Sequence, residues 1–472
     1  MVRRHAVLPL LIMLLALSAS LWLPVQASNV GRHLPPEKRT VTDKATGATL
    51  TFLTTDPAND AKPYQTHTTW TADGKWIIFR SDRGGGSQAY LVNEQTGDIV
   101  QLTDGPASGT GSLNLSRKTN KLYLMRGGPT WNPATQELEP ATTPKQLVEI
   151  NLDPLIADAL AGTPKDASTY ERIICTLPTD LRDAGGFALD ADETKAYWGV
   201  SWGPQLPRPP KIKRPPANTA ASDVSGAPVE PPARRQIDDQ NMDPNQSREA
   251  ARKRFEEQGK GPGGIRSIDL ATGEIKTVVD VAFRMGHVQT NPWVPGEIIY
   301  CHETTGDGPQ RMWTVHGDGT GNRPLYVETP DEWITHETVA TKDEIMFLIM
   351  GHLPYLREHP TGIAVINLRT NQMKLLGQVE EPMPGRGTGG FWHCNGSADG
   401  RWAVGDTFLG NIYLIDRANG ERILLTTDHK MRPDHTHPIF SPDGRRIAIQ
   451  SGLLTDGKSL DIVVLDVPPS KP

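Results

Sequence analysis

In the stretch RPDHTHPIFSPDG, Arg432 to Gly444, two histidines stand two residues apart. On a strand, positions i and i+2 face the same way, so the rings of His435 and His437 can address one target. Six residues after His437 comes Asp443, the aspartate of an Asp-Gly turn. The same count leads from His393 to Asp399 and from His67 to Asp73. His287 and His336 precede the turns in PWVPGE and VATKDE at nearly the same distance, while Ser112 and Gly186 occupy this phase in two further segments. A neutral imidazole is a common transition-metal ligand and a suitable base near neutral pH. A His-x-His pair with a third histidine would hold a divalent metal, and one more, unligated, would take a proton. Such parts suit abstraction of a proton alpha to a carboxylate, with the metal drawing off the developing charge.

For these rings to converge, the segments carrying them must repeat in space. TWTADGKWIIFRSDRGGGSQAYLVNEQTGDIVQLTD, Thr69 to Asp104, reads as strand, Asp-Gly turn, strand, then two more strands joined at a second turn. The same grammar returns in GSADGRWAVGDTFLGNIYLIDRANGERILLTT and in FSPDGRRIAIQSGLLTDGKSLDIVVLDV, with degenerate copies between them. Seven units begin near Leu53, Gly111, Gly185, His287, His336, Phe391 and His435. Four short strands per unit predict an all-β fold, a seven-bladed β-propeller. The innermost strand of a blade runs into its first turn, so the histidine phase falls at the opposite mouth of the central channel. One segment breaks the pattern. Residues 203–264 are rich in Pro and charge and poor in large apolar residues, which predicts a disordered insertion between the second and third strands of the third blade. It should emerge on the histidine face.

The net charge of −6 gives no general electrostatic case for nucleic acid. Residues 1–27 combine Arg3 and Arg4, an apolar run and Val25-Gln26-Ala27, the pattern of a secretory signal peptide. Residues 28–472 then form one propeller domain, periplasmic or secreted. No other stretch is long and apolar enough to span a bilayer. Cys175, Cys301 and Cys394 are too few for a disulfide framework. A monomer is expected.

YQTHTTWTADGKWIIF, HVQTNPWVPGEIIYCHETTGDGPQRMW, ITHETV and HTHPIFSPDG together resemble the oligogalacturonate lyase family of polysaccharide lyases. That resemblance implies a seven-bladed propeller that cleaves uronate oligosaccharides by β-elimination, with manganese as the usual metal. It implies that His287 removes the C5 proton and that His336, His435 and His437 are metal ligands. The family's fourth ligand is a Gln three residues before the His pair, and here that position is Arg432, which cannot ligate a metal. A water, His429 or His393 is left for the gap, and Arg432 itself suits a uronate carboxylate. Arg311, opening a third strand, is a candidate carboxylate-binding catalytic residue. His67 and His393 are candidate substrate contacts, with Tyr64, Gln65 and Trp392 as sugar-lining residues and His302 and Glu303 near the same face. The rival from another class is a non-enzymatic periplasmic propeller like that of the Tol system, which needs neither metal nor in-phase histidines.

Overall fold

The computed structural model describes residues 28–132, 137–203, 260–303, 310–329, 332–351, 361–383 and 387–469, with five positions between 243 and 253. The expected signal peptide lies outside the described residues, as does nearly all of the 203–264 insertion. Its flanks are described: Lys195–Ser201 and Lys260–Asp269 are neighbouring strands, with Ser201 opposite Gly263. The insertion therefore leaves and rejoins the third blade between its second and third strands.

The protein is a seven-bladed β-propeller. Inner strands Asn114–Leu115, Arg182–Leu189, Met285–Thr290, Ile334–Thr341, Phe391–Gly396 and Ile439–Phe440 each open an antiparallel sheet. In the first blade a single bridge between Trp70 and Ile77 stands in that place. Both faces of each sheet are covered by neighbouring blades, so strands such as Glu344–Ile349 run as continuous apolar segments. Seven apolar clusters result, each joining two adjacent blades; Met346 and Leu348 of the fifth blade, for example, pack with Ala403 and Ile415 of the sixth. Truncating a fully buried Phe347 in such an interface should cost about 3–5 kcal/mol.

Two elements escape the repeat pattern. Thr49–Phe52 pairs with Asp461–Asp466 of the last blade, and Arg39–Thr42 pairs outside it. The start of the chain thus completes the final sheet and closes the ring on itself. Helix Leu152–Leu160 follows the third strand of the second blade and buries Leu152, Leu155 and Ala159, at i, i+3 and i+7, in the cluster between blades one and two.

The channel mouth is where strand regularity fails. The inner strands of blades three, four, five and six slip register between Asp183 and Phe187, Gly286 and Gln289, Thr335 and Thr338, and Phe391 and His393. Gly185 and Gly186 occupy the first bulge with φ of 85° and 77°; His287 at 47° and His336 at 55° occupy the next two. His437, ahead of the last inner strand, has φ 47°. Left-handed backbone costs a non-glycine residue roughly 1 kcal/mol or more, and bulges of this kind re-aim side chains beside functional sites.

Candidate active site and metal centre

The strained bulges bring histidines from four blades together. The ring of His393 lies 4.3 Å from that of His336, 4.0 Å from His437 and 5.3 Å from His435. Tyr64, from the segment leading into the first blade, meets the edges of this group, 5.1 Å from His437 and 5.9 Å from His393. Beyond it lies His287, whose ring is 5.3 Å from that of Tyr64.

Several of the rings are oriented by an oxygen. The Nδ1 of His393 lies 3.1 Å from Asp406, a fully buried carboxylate that also accepts the His393 amide at 2.7 Å and the Thr436 hydroxyl at 2.7 Å. His336 directs Nδ1 at the Trp392 carbonyl, and His437 places Nδ1 3.0 Å from the Gln65 side-chain oxygen. Because carboxylate and carbonyl oxygens only accept, Nδ1 of His336 and of His393 carries the proton and Nε2 keeps the lone pair. Burial, reinforced by neighbouring imidazoles, holds His336 and His393 well below the usual histidine range, so both stay neutral. Neutral rings with committed Nδ1 protons are what a divalent metal requires. Donor atoms of His393, Asp406 and His435 lie within 4.8 Å of one another.

The His435–His437 pair does not work by strand alternation. The inner strand begins only at Ile439, and the left-handed backbone of His437 turns its ring away, so the two rings are 6.2 Å apart at 71°. His435 stacks on Trp392 at 5.4 Å, whereas Nε2 of His437 lies 3.4 Å from Asp434. Of the three expected ligands, His435 belongs to the three-residue donor group, and His336 and His437 touch it through His393. Arg432 is exposed and does not line the cavity. His429 is buried elsewhere, with its ring nitrogens on Ser451 and Thr426. The ring nitrogens of His67 are also taken, by Thr66 at 2.8 Å and the Phe187 carbonyl at 3.0 Å, and burial pushes it down to about 4.

His287 stands between two carboxylates, Glu303 and one that the sequence did not point to, Glu337. Its Nδ1 is 3.4 Å from Glu337 and its Nε2 is 3.7 Å from Glu303. Arg311 is 3% exposed, and its Nε donates to the fully buried Glu337 at 2.9 Å. It therefore faces Glu337 rather than the cavity, and its effect on His287 passes through that carboxylate. Burial pushes Glu303 up, but the charges of Arg311 and His287 carry it below its ordinary value. His302 is buried against Phe283. Glu337 directly follows His336, and the bulge lets two consecutive residues serve one site, which a strict period of two would forbid.

His287 and His437 border a cavity of about 320 Å³. Gly111, Ser112, Gly185 and Gly186 line it too, and of these Ser112 and Gly186 hold the histidine phase in blades two and three. Lys62 and Arg80 bring two positive charges to the lining against one carboxylate, Asp434. Burial pushes Lys62 down to about 7, against the pull of Asp406 and Asp434. This is a volume and polarity suited to a small anionic ligand.

No family model matches the chain. Over 206 residues, 40% of this chain, it is 25% identical to the oligogalacturonide lyase of Pectobacterium atrosepticum, and it matches the oligogalacturonate lyase of Dickeya dadantii at 25% over 214 residues. Each match spans about half of the relative's length, 52%. In fold the likeness is broader. A solved oligogalacturonate lyase in complex with manganese superposes with a TM-score of 0.67 at 20% identity, covering 93% of this chain and 98% of that one. The enzyme of that name from Vibrio parahaemolyticus gives 0.66 at 19% identity, covering 94% and 100%. The seven-bladed architecture is shared with these structures, and in sequence the chain resembles the oligogalacturonate lyases.

Proposed function

We propose that the protein is an exported lyase that cleaves oligogalacturonate or a closely related uronate oligosaccharide by β-elimination. The observation that carries this reading is His287, held in a left-handed bulge between Glu303 and Glu337 at the edge of a cationic cavity. Lys62 and Arg80 bind the uronate carboxylates. His287 takes the C5 proton, the C4–O4 bond breaks, and a C4=C5 double bond forms on the new non-reducing end. Burial keeps the Tyr64 phenol protonated, raised well above its ordinary value, and its ring packs against His287. Tyr64 returns a proton to the departing O4. A divalent metal, manganese by analogy with the solved relative, would be held by His393 and His435, beside His336 and His437, with Asp406 orienting the ring of His393. When bound it would withdraw charge from the C6 carboxylate and acidify C5. The signal-like N-terminus supports a periplasmic or secreted location.

The test is ultraviolet absorbance of the unsaturated product, using purified protein on di-, tri- and tetragalacturonate with manganese or a chelator. Absorbance should rise with the wild type and be lost with His287→Ala. Silence across the series, or full activity in His287→Ala, would overturn the reading.

A further inference from the structure

The channel has a second mouth, on the side of the Asp-Gly turns, and it holds a cavity of about 240 Å³. Thr71, Thr338, Asn395 and Ser441 bring polar side chains to its wall. The indole of Trp293, 40% exposed, is one of the few large apolar side chains left uncovered among the described residues. Arg117 also lines this cavity, and no aspartate or glutamate does.

Arg117 is an exposed residue at this mouth, and it reaches the cavity wall. Its charge helps to depress the pKa of His67, which lines the same cavity. The nearby Glu193 does not neutralise it by contact. One Glu193 oxygen accepts the Arg117 backbone amide at 2.6 Å and the other accepts the Ser116 hydroxyl at 2.5 Å. Among the described residues the guanidinium has no ion pair. A cation on a cavity wall that carries no acidic side chain is free to pair with the carboxylate of a ligand.

Thr66 and His67 line both large cavities, separated by a pocket of about 20 Å³, room for one water. With its nitrogens fixed to Thr66 and Phe187, His67 is the partition between the two mouths.

We propose that this second mouth is a binding site for a single sugar carboxylate, distinct from the cavity bordered by His287. The planar fork of Arg117 matches a carboxylate, the exposed face of Trp293 covers a sugar ring, and the threonines meet its hydroxyls. The volume limits the occupant to a monosaccharide-sized acid. This inference does not depend on the lyase reading, and its test uses no turnover.

The probe is galacturonate, titrated into the His287→Ala protein and followed by calorimetry and tryptophan fluorescence, with galactose and acetate as controls. Galacturonate should bind with a fluorescence change that disappears in the Trp293→Phe double variant. Arg117→Gln should weaken binding at least tenfold, and galactose and acetate should each bind far more weakly than galacturonate. Titrations unaltered by Arg117→Gln and Trp293→Phe, or galactose or acetate binding as tightly as galacturonate, would refute the site. Absence of any binding by galacturonate would refute it equally.

Discussion

Gly185 stands directly against the backbone of His287: a Cβ on the glycine would lie 2.8 Å from the histidine's amide nitrogen and 2.6 Å from the Gly286 carbonyl carbon. The third blade gives up its side chain at this point so that the bulge of the fourth can approach. Gly185 is also left-handed, φ 85°, so any other residue adds strain to the clash. Gly185→Ala should therefore displace His287, lowering kcat tenfold or more, and should destabilise the fold by about 1–3 kcal/mol. Neighbouring Gly186 has open space around a Cβ. Gly186→Ala should show the backbone penalty with a much smaller loss of turnover. Equal kinetic effects from the two variants would count against the packing argument.

Glu337 couples two groups that looked independent in the sequence. It is ion-paired to buried Arg311 at 2.9 Å and faces His287 at 3.4 Å. Glu337→Gln leaves Arg311 as an uncompensated buried charge, which should cost about 3–5 kcal/mol of stability. It also removes the carboxylate that faces Nδ1 of His287 and orients its ring, so kcat should fall tenfold or more with little change in KM. The double variant Arg311→Met, Glu337→Gln should recover most of the stability and none of the kcat. Recovery of both would reduce the pair to a structural role.

The repeat was legible because three Asp-Gly turns, and the degenerate turns between them, each set a local hairpin, and seven such units set the ring. The insertion point was legible for the same reason, as a break in that grammar. Ring closure by Thr49–Phe52 was not, since a four-residue strand carries no turn signal of its own and its partner lies more than 400 residues away. At the site, counting back from the turns located His287, His336, His393 and His437. It could not find Asp406 or Glu337, which come from a second strand and from a bulge. It also mistook the geometry of His435 and His437, because alternation applies only where the backbone is extended. Arg432 was weighed by position in a motif, and the fold leaves it exposed.

The Asp406–His393 contact makes a claim about metal affinity that needs no turnover. Removing a carboxylate that orients a ligating imidazole lowers affinity by roughly 10- to 100-fold. Asp406→Asn should do so for manganese, read by calorimetry, and His393→Ala and His435→Ala should do so more severely. Arg432→Ala should change the affinity less than twofold. If Arg432→Ala weakens manganese binding as much as Asp406→Asn does, the exposed arginine has a part in the site after all.

The ring seam is pH-sensitive through Asp461, the first residue of the strand that pairs with Thr49–Phe52. Asp461 is fully buried, and among the described residues neither of its oxygens has a hydrogen-bond partner. Burial, together with the negative charges of Asp60 and Glu37, pushes its carboxyl up to about 8. Asp60, pushed up to about 6 by burial, is partly restrained by Arg83, whose Nη2 lies 2.6 Å away. Arg83 is itself shared with Glu37 at 2.8 Å, so one cation serves several acids at the point where the chain's beginning meets its end. A carboxyl whose folded pKa exceeds its unfolded value holds its proton more tightly when folded. Its stabilisation is complete below the unfolded pKa, near 4, and is lost as the pH rises through about 8. Thermal stability should thus decline between pH 5 and 8.5. Asp461→Asn should flatten that decline and exceed the wild type above pH 8, by on the order of a few kcal/mol. Parallel melting profiles for the two proteins across this range would show that Asp461 does not hold the proton that closes the ring.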